Sequence, residues 1–275
     1  MGRKRKSEIV GTYDIDTGQA RVLHDDYRPG AYILEVNGVP SSHIVPDEPR
    51  ELEFEYMRWI IAGLDFLVDN KRASITHLGG AACTLARYFA DAWPGSRNTV
   101  VEIDGALATL VRELFDIPRA PAVKIRVGDA RAVTETFNDA SRDIIIRDVF
   151  AESTTPRSLT TAEFFQKCHD ALRPGGIYVA NCGDHADLAV ARAEVAGMTQ
   201  AFKHVGAIAD PAMLKGRRYG NIIFFASDEP LFDRDDTSQL TKALLGGAVP
   251  AQFKGDAWTR ALASAPRYDL DEAEA

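Results

Sequence analysis

Three acidic residues stand at the ends of apolar runs that are typical of buried strands. Glu102 ends one run in "VVEID", Asp129 follows another in "VGDAR", and Asp148 follows a third in "IIIRDVF". Carboxylates in these places can accept hydrogen bonds from the hydroxyls of a ribose or from the amino group of a base. They can also take the proton of an attacking amine. Because ligands bind beyond the carboxyl ends of parallel strands, we expect the three carboxylates to converge on one cleft.

Two glycines, Gly79 and Gly80, follow the first apolar run and precede a helical pattern in "HLGGAACTLARYF". Without a Cβ, they let the backbone approach a ligand closely and take positive φ. Glu102 comes 22 to 23 residues later, the spacing at which an acidic residue binds a ribose after a nucleotide-binding turn. We therefore favour ribose binding for Glu102 over helix capping, and we assign the cap to Asp104.

The other two carboxylates keep alternative roles. Asp129 either accepts a hydrogen bond from an exocyclic amine, as adenine offers, or caps the helix that starts near Arg131. Asp148 takes a proton from an amine, holds a cationic acceptor, or is a surface aspartate at a strand end. His77, on a predicted core strand, is interpreted as a packed and hydrogen-bonded residue.

Changes in the spacing of hydrophobic residues along the chain predict the strands and helices that must position these residues. Residues 12–45 alternate as short strands around turns, with an Asn-Gly hairpin at Asn37. A helical period begins at Glu51, and strands then alternate with helices as far as Asp228. "RPGG" is predicted as a turn before the fifth strand, and the last two strands are predicted to be antiparallel because no crossover helix fits between them. We predict an α/β fold with a mostly parallel sheet and an antiparallel last strand, preceded by a small antiparallel β domain.

This pattern predicts four segments along the chain. They are a basic tail at 1–7, an N-terminal β-hairpin domain at 8–50, a Rossmann-like nucleoside-binding catalytic domain at 51–228, and a C-terminal helix with an acidic tail at 229–275.

The composition of the chain argues against two kinds of binding partner, nucleic acid and membrane. With 32 basic and 40 acidic residues, the formal charge of -8 argues against nucleic acid as the main ligand. No apolar window reaches the length that spans a bilayer, so we expect no membrane partner. Three widely spaced cysteines indicate neither a disulfide framework nor metal-ligand spacing, and they favour a reduced, cytoplasmic compartment.

Several motifs in sequence order resemble the spermidine synthase family, within the class I S-adenosylmethionine-dependent methyltransferase fold. They are "NGVPSSH", "EFEYM", "HLGGAACTLAR", "VEID", "VGDAR", "IIIRDVF", "LRPGGIYVANC" and "GNIIFFASD". The resemblance implies a homodimeric, metal-free transferase that moves the aminopropyl group of decarboxylated S-adenosylmethionine to a small amine. It implies ribose binding by Glu102, adenine binding by Asp129, and catalysis by Asp148 and by Tyr56, which it places near the acceptor amine.

The chain departs from the family where the amine ends of donor and acceptor bind. Ala82 stands where the family's glycine-rich loop has the aspartate that binds the donor's aminopropyl end. Ala151 replaces a second acid, with Glu152 one residue late, and Ser41 stands in place of a glutamine. Loss of a buried ammonium's partner costs several kcal/mol, whereas a loop lined by Ala81 and Ala82 tolerates the carboxylate of intact S-adenosylmethionine.

Three hypotheses therefore remain open at this stage. The chain is a spermidine synthase-like transferase with altered amine-binding residues, in which Glu152 supplies the missing charge. Alternatively, it is an S-adenosylmethionine-dependent methyltransferase acting on a small acceptor, or a non-catalytic nucleoside-binding scaffold.

Overall fold

The computed structural model describes residues 9–151, 154–233, 236–263 and 266–269. Two compact units are present. The N-terminal unit comprises Met1–Phe54 with Lys71–Ala130, and the C-terminal unit comprises Glu55–Asn70 with Arg131–Ala275. The predicted basic tail, the acidic end at 270–275 and Glu152 lie outside the described residues.

The strands are, in chain order, β1 (Gly11–Ile15), β2 (Gly18–His24), β3 (Tyr32–Val36), β4 (Val39–Ile44), β5 (Ser74–Leu78), β6 (Arg97–Glu102), β7 (Val123–Val127), β8 (Arg142–Arg147), β9 (Leu172–Asp184), β10 (His204–Ala209), β11 (Gly220–Ser227) and β12 (Gln252–Lys254). The helices are α1 (Glu55–Leu67), α2 (Thr84–Ala92), α3 (Gly105–Leu114), α4 (Ala130–Glu135), α5 (Ala162–Ala171), α6 (Ala189–Ala201), α7 (Pro211–Leu214), α8 (Ser238–Leu245) and α9 (Asp256–Leu262).

The N-terminal unit begins with the predicted antiparallel sheet, in which β1 to β4 are neighbours in sequence order. Asn37 and Gly38 both have positive φ, 51° and 80°, as a type I′ hairpin turn requires. The small β domain and its hairpin are thereby confirmed. The inward face of this sheet contributes Val22 and Leu34 to a buried apolar cluster that also contains Leu107 and Val111 of α3.

The same unit contains three parallel strands in the order β5, β6, β7. The apolar residues of β5 and β6 are buried, and the residues that follow the three strands form turns into α2, α3 and α4. Asp104 caps α3 as predicted, because its Oδ1 accepts a hydrogen bond from the backbone N–H of Leu107 at 2.7 Å. Its Oδ2 accepts a further hydrogen bond from the hydroxyl of Thr17 at 2.8 Å, which ties the β domain to α3.

The strands of the C-terminal unit lie in the order β12, β10, β11, β9, β8. β8 and β9 are parallel, whereas β11 is antiparallel to both β9 and β10. The predicted antiparallel pairing of the last two core strands is confirmed. Sequence reasoning missed β12, which extends the sheet beyond β10, and α9, because both lie in a segment interpreted as a helix and a tail.

The prediction of a turn at "RPGG" is wrong. Residues Arg173–Gly176 lie within β9. Leu172 and Ile177 of β9 are five residues apart, but their register partners in β8, Arg142 and Ile144, are two residues apart. The extra residues form a bulge, in which Gly175 takes φ 76°. Glycine and proline therefore mark an irregularity inside the strand here.

His77 is a core residue, in agreement with its interpretation from the sequence. It lies in β5, is 4% exposed, and has its Nε2 3.0 Å from Oδ1 of Asn98. Burial lowers the pKa of His77 to about 4, so the imidazole is neutral in the folded protein at pH 5 and above.

This pKa predicts acid destabilisation. Below pH 6.5, the ordinary pKa of the imidazole, the unfolded chain binds a proton at His77, whereas the folded chain does not until the pH reaches about 4. The free energy of unfolding therefore decreases as the pH falls from about 6.5 towards 4. We expect His77 to contribute a loss of about 2 kcal/mol between pH 7 and pH 5. Urea unfolding at both pH values should show a smaller loss for His77→Gln, which keeps a polar partner for Asn98. Equal losses in the two proteins would contradict the assignment.

Candidate functional site

The turn after β5 in the N-terminal unit depends on its glycines for different reasons. Gly79 has φ 89°, as expected for a residue in the left-handed region. Gly80 does not have positive φ, and a Cβ there would lie 2.5 Å from Cγ1 of Val100. The missing side chain at Gly80 thus allows the turn to approach β6. Ala81 and Cys83 also have positive φ, 41° and 59°, a conformation that is unfavourable for residues with a Cβ.

Glu102 holds this turn in place. Its Oε2 accepts hydrogen bonds from the backbone N–H groups of Gly80 at 3.1 Å and Ala81 at 3.0 Å. Its Oε1 accepts a hydrogen bond from the backbone N–H of Asp104 at 3.1 Å. The carboxylate is half-buried at the end of β6. These three bonds were not anticipated. Since each carboxylate oxygen has two lone pairs, these bonds leave one on Oε1 that can accept a hydrogen bond from a ligand hydroxyl.

Ala82 faces the protein core. It is 0% exposed and belongs to the buried apolar cluster of the N-terminal unit, and its backbone N–H donates to Oγ of Ser42 at 3.1 Å. The hydroxyl of Ser41, in contrast, donates to the carbonyl of Val39 at 2.9 Å. Ser42 was missed, although neighbouring side chains of a strand point to opposite faces and only one of the two serines can face the turn. Ligand contacts of Ala82 and Ser41 stay predictions.

Two apolar residues are exposed beside Glu102. Ile103 directly follows it and is 60% exposed, and Val127 at the end of β7 is 55% exposed. Glu102 and Val127 are register partners in the parallel pair, and the exposed Asp129 follows two residues after Val127. The N-terminal unit thus presents a carboxylate, two apolar side chains and a second acidic residue at the ends of neighbouring strands. The apolar pair was missed because exposure of an apolar strand residue leaves no mark in the hydrophobic pattern.

Asp148 is the centre of a hydrogen-bonded group in the C-terminal unit. It directly follows β8, and its Oδ2 accepts a hydrogen bond from the hydroxyl of Tyr56 in α1 at 2.9 Å. Its Oδ1 accepts one from Nδ2 of Asn181 in β9, also at 2.9 Å. The structure thus brings together the two residues named as catalytic from the sequence, and it adds Asn181. The only sequence signal for Asn181 was a polar residue near the carboxyl end of an apolar strand.

Both groups that hydrogen-bond the Asp148 carboxylate are neutral, and the nearby Arg147 charge also lowers its pKa. Burial raises the pKa of Asp148, and the hydrogen bonds from Asn181 and Tyr56 oppose that rise only in part. Burial and the nearby Asp148 charge raise the pKa of Tyr56, so its phenol stays protonated and donates. A carboxylate held by neutral donors keeps more affinity for a proton than one paired with a cation.

The residue that precedes Asp148 in the chain forms a buried ion pair. Arg147 and Glu194 both have fully buried side chains, and Nη2 of Arg147 lies 2.8 Å from Oε2 of Glu194. The same guanidinium donates to the carbonyls of Leu159 at 3.1 Å and Asn181 at 3.0 Å. Burial opposes the charged guanidinium, but Glu194 raises the pKa of Arg147 above its ordinary value. Burial also raises the pKa of Glu194. The guanidinium stays charged, and its hydrogen bond fixes the backbone carbonyl of Asn181.

The segment after Asp148 differs from the acidic loop that the resemblance implied. Phe150 is 36% exposed, and Ala151 is exposed and forms an isolated antiparallel bridge with Thr154. Within the described ranges, no group of three or more His, Cys, Asp or Glu residues could hold a metal ion. Those ranges also contain no helix with the length and apolar character needed to cross a bilayer.

Comparison with known proteins identifies the family. The sequence pattern of the spermine/spermidine synthase domain matches residues 57–238. The chain belongs to the spermine/spermidine synthase family. The match begins after the N-terminal sheet and includes every predicted acidic site residue from Glu102 to Glu152.

Individual members of the spermine/spermidine synthase family support this assignment. A crystal structure of a probable spermidine synthase from Corynebacterium glutamicum shares 56% sequence identity, covers 94% of this chain and 96% of its own, and superposes with a TM-score of 0.90. The polyamine aminopropyltransferase of Vibrio vulnificus is 29% identical over 161 residues, which is 58% of this chain and 53% of that protein. The chain thus matches about half the length of this curated relative.

A more distant structure confirms the fold class. Human methyltransferase-like protein 13, solved in complex with SAH, is 20% identical, covers 80% of this chain and 99% of its own, and has a TM-score of 0.56. Together with the Corynebacterium structure, it confirms the predicted α/β, Rossmann-like methyltransferase fold behind a small antiparallel β domain.

Proposed function

We propose that this member of the family transfers an aminopropyl group from decarboxylated S-adenosylmethionine to a small amine. The observation that carries the proposal is the pair of neutral hydrogen bonds on Asp148, from Tyr56 and Asn181. A partly buried carboxylate at a strand end, with a raised pKa and no cation on either oxygen in these bonds, suits a group that must receive a proton.

The N-terminal unit is proposed to bind the adenosyl half of the donor. Glu102 accepts a hydrogen bond from a ribose hydroxyl through Oε1, while the bonds of Oε2 to Gly80 and Ala81 hold the turn in place. The exposed side chains of Ile103 and Val127 fit an adenine ring, because an aromatic base covers apolar surface that is otherwise in water. Asp129 accepts a hydrogen bond from the adenine amino group. A solved spermidine synthase in complex with the transition state analogue AdoDATO and the SAH complex named above support the proposal of an adenosyl ligand.

The C-terminal unit is proposed to act on the amine. The donor supplies a carbon that is activated by its bond to a sulfonium. A neutral amine attacks this carbon, the carbon–sulfur bond breaks with its electron pair going to sulfur, and the amine loses one proton. Asp148 accepts that proton, Tyr56 and Asn181 orient the carboxylate, and alignment supplies much of the remaining acceleration.

The other predictions made from the sequence remain part of the proposal. Glu152 is proposed to supply the negative charge that the altered amine-binding residues lack. Ser41 is proposed to border the acceptor. The homodimer that the resemblance implies stays a prediction, and so does the cytoplasmic location that the cysteine pattern favours.

Product analysis tests the proposal. The full chain is incubated with an amine and either decarboxylated or intact S-adenosylmethionine, and products are identified by mass spectrometry. We expect methylthioadenosine and an aminopropylated amine from the decarboxylated donor. S-adenosylhomocysteine formed from the intact donor would instead establish a methyltransferase, and donor binding without any product would indicate a scaffold.

A matched pair of variants tests the assignment of the ribose site in the same assay. Glu102→Gln removes the carboxylate charge, so we expect donor affinity to fall about tenfold. Glu113→Gln makes the same change at an exposed position of α3 and should leave the affinity unchanged. Ala82→Asp is less informative, because it places a carboxylate in the buried apolar cluster.

A further inference from the structure

An aromatic surface lies at the same sheet edge as Asp148 in the C-terminal unit. We define the aromatic edge as Phe150, His185 and Tyr219. Tyr219 is 52% exposed, and its ring centroid is 5.0 Å from that of His185. Strand register brings these residues together: Gly220, next to Tyr219, pairs with Asp184, next to His185.

Gly183 connects the aromatic edge to the Asp148 group. A Cβ at Gly183 would lie 3.2 Å from Cε1 of Phe150 and 3.4 Å from the hydroxyl oxygen of Tyr219. Gly183 and Asn181 are two residues apart in β9, so their side-chain positions share one face of the strand. The aromatic rings therefore flank the face from which Asn181 donates to Asp148.

Two acidic residues near this edge, Asp184 and Asp210, are already engaged. Asp184 accepts hydrogen bonds from the backbone N–H groups of His185 and Ala191, each at 2.7 Å. Asp210 accepts one from Ala212 at 2.8 Å and pairs with Arg218 at 2.9 Å. A second ammonium on an acceptor would compete with these partners, whereas an apolar tail would find exposed aromatic surface.

We infer that the acceptor is a monoamine with an aromatic tail, whose amine reaches Asp148 while the tail packs against Phe150 and Tyr219. The inference rests on the proposed function for the role of Asp148. When the aromatic tail packs against these two rings, apolar surface of both is removed from water, and this favours binding. The diamine that the family resemblance implies lacks such a tail.

Calorimetry with 2-phenylethylamine and putrescine tests the inference on the full chain. We expect 2-phenylethylamine to bind at least about tenfold more tightly. Phe150→Ala and Tyr219→Ala should each weaken its binding about tenfold, and neither should weaken putrescine binding as much. Leu245→Ala is the control, because Leu245 is an exposed apolar residue at the end of α8, 57% exposed. Thermal melts establish that the variants are folded.

Tighter binding of putrescine, or loss of putrescine binding in both aromatic variants, would overturn the inference and indicate that the rings hold a second cation. Competition of the two amines for aminopropyl transfer separates this result from failure of the proposed function. Transfer to putrescine in preference to 2-phenylethylamine rejects the monoamine and leaves the transferase intact. Selective binding of 2-phenylethylamine without any aminopropyl product supports the aromatic site and rejects the transferase.

Discussion

Asp148→Asn is expected to lower kcat by about 10²- to 10⁴-fold, the range that a positioned proton acceptor contributes. The asparagine keeps the shape of the side chain and can still accept from Tyr56, but it cannot take the proton that the attacking amine loses. Steady-state kinetics with a saturating donor measure the effect. Asp139→Asn makes the same change at an exposed aspartate of the C-terminal unit, with 82% side-chain exposure, and should leave kcat unchanged.

Stability measurements distinguish lost chemistry from lost structure in this variant. Since burial raises the pKa of Asp148, the ionised carboxylate disfavours the fold at neutral pH, and its contribution to stability increases as pH falls through the raised pKa. Asp148→Asn should therefore be at least as stable as the wild type at pH 7. A variant that keeps its kcat, or one that loses activity only because it unfolds, would contradict the catalytic role.

The pH profile supplies a second check on the same residue. Ionised Asp148 is the active form, so kcat should rise with pH through its pKa. Tyr56→Phe removes a hydrogen bond that lowers this pKa, and should therefore move the rise of kcat to higher pH while keeping most of the activity at the plateau. An unchanged profile would indicate that Tyr56 does not act on Asp148.

Glu194→Gln is expected to lower the free energy of unfolding by about 3–5 kcal/mol, because it leaves the buried Arg147 charge without a counter-ion. The amide keeps the size of the side chain, so little of the effect comes from a cavity. Urea unfolding measures the change. The control is Asp143→Asn, since Asp143 pairs with Arg173 at 2.7 Å where both side chains are partly exposed, and it should cost under about 1 kcal/mol.

A loss in Glu194→Gln no larger than in this control would show that the buried pair is not a source of stability. The pair also reaches the proposed site, because Arg147 donates to the carbonyl of Asn181. We therefore expect the folded fraction of Glu194→Gln to show reduced kcat, with donor affinity unchanged.

Much of the architecture followed from local patterns in the sequence. Alternation and apolar runs predicted the hairpin sheet, the core strands and the antiparallel last pair, because burial of one or both faces of a strand dictates its residue pattern. The cap at Asp104 and the Asn-Gly turn depend on a few adjacent residues, so they were also predicted correctly. The "RPGG" bulge and β12 were not, since strand pairing over long separations decides them.

The sequence by itself determined which residues stand at strand ends, and hence that Glu102, Asp129 and Asp148 were candidates. Only the tertiary structure decided their partners. Glu102 binds the turn after β5, Asp148 is held by Tyr56 and Asn181, and Arg147 pairs with Glu194 across 47 residues of chain. The physical reason is that a pattern of hydrophobicity records burial but not direction or register. A hydrogen bond between distant residues depends on both.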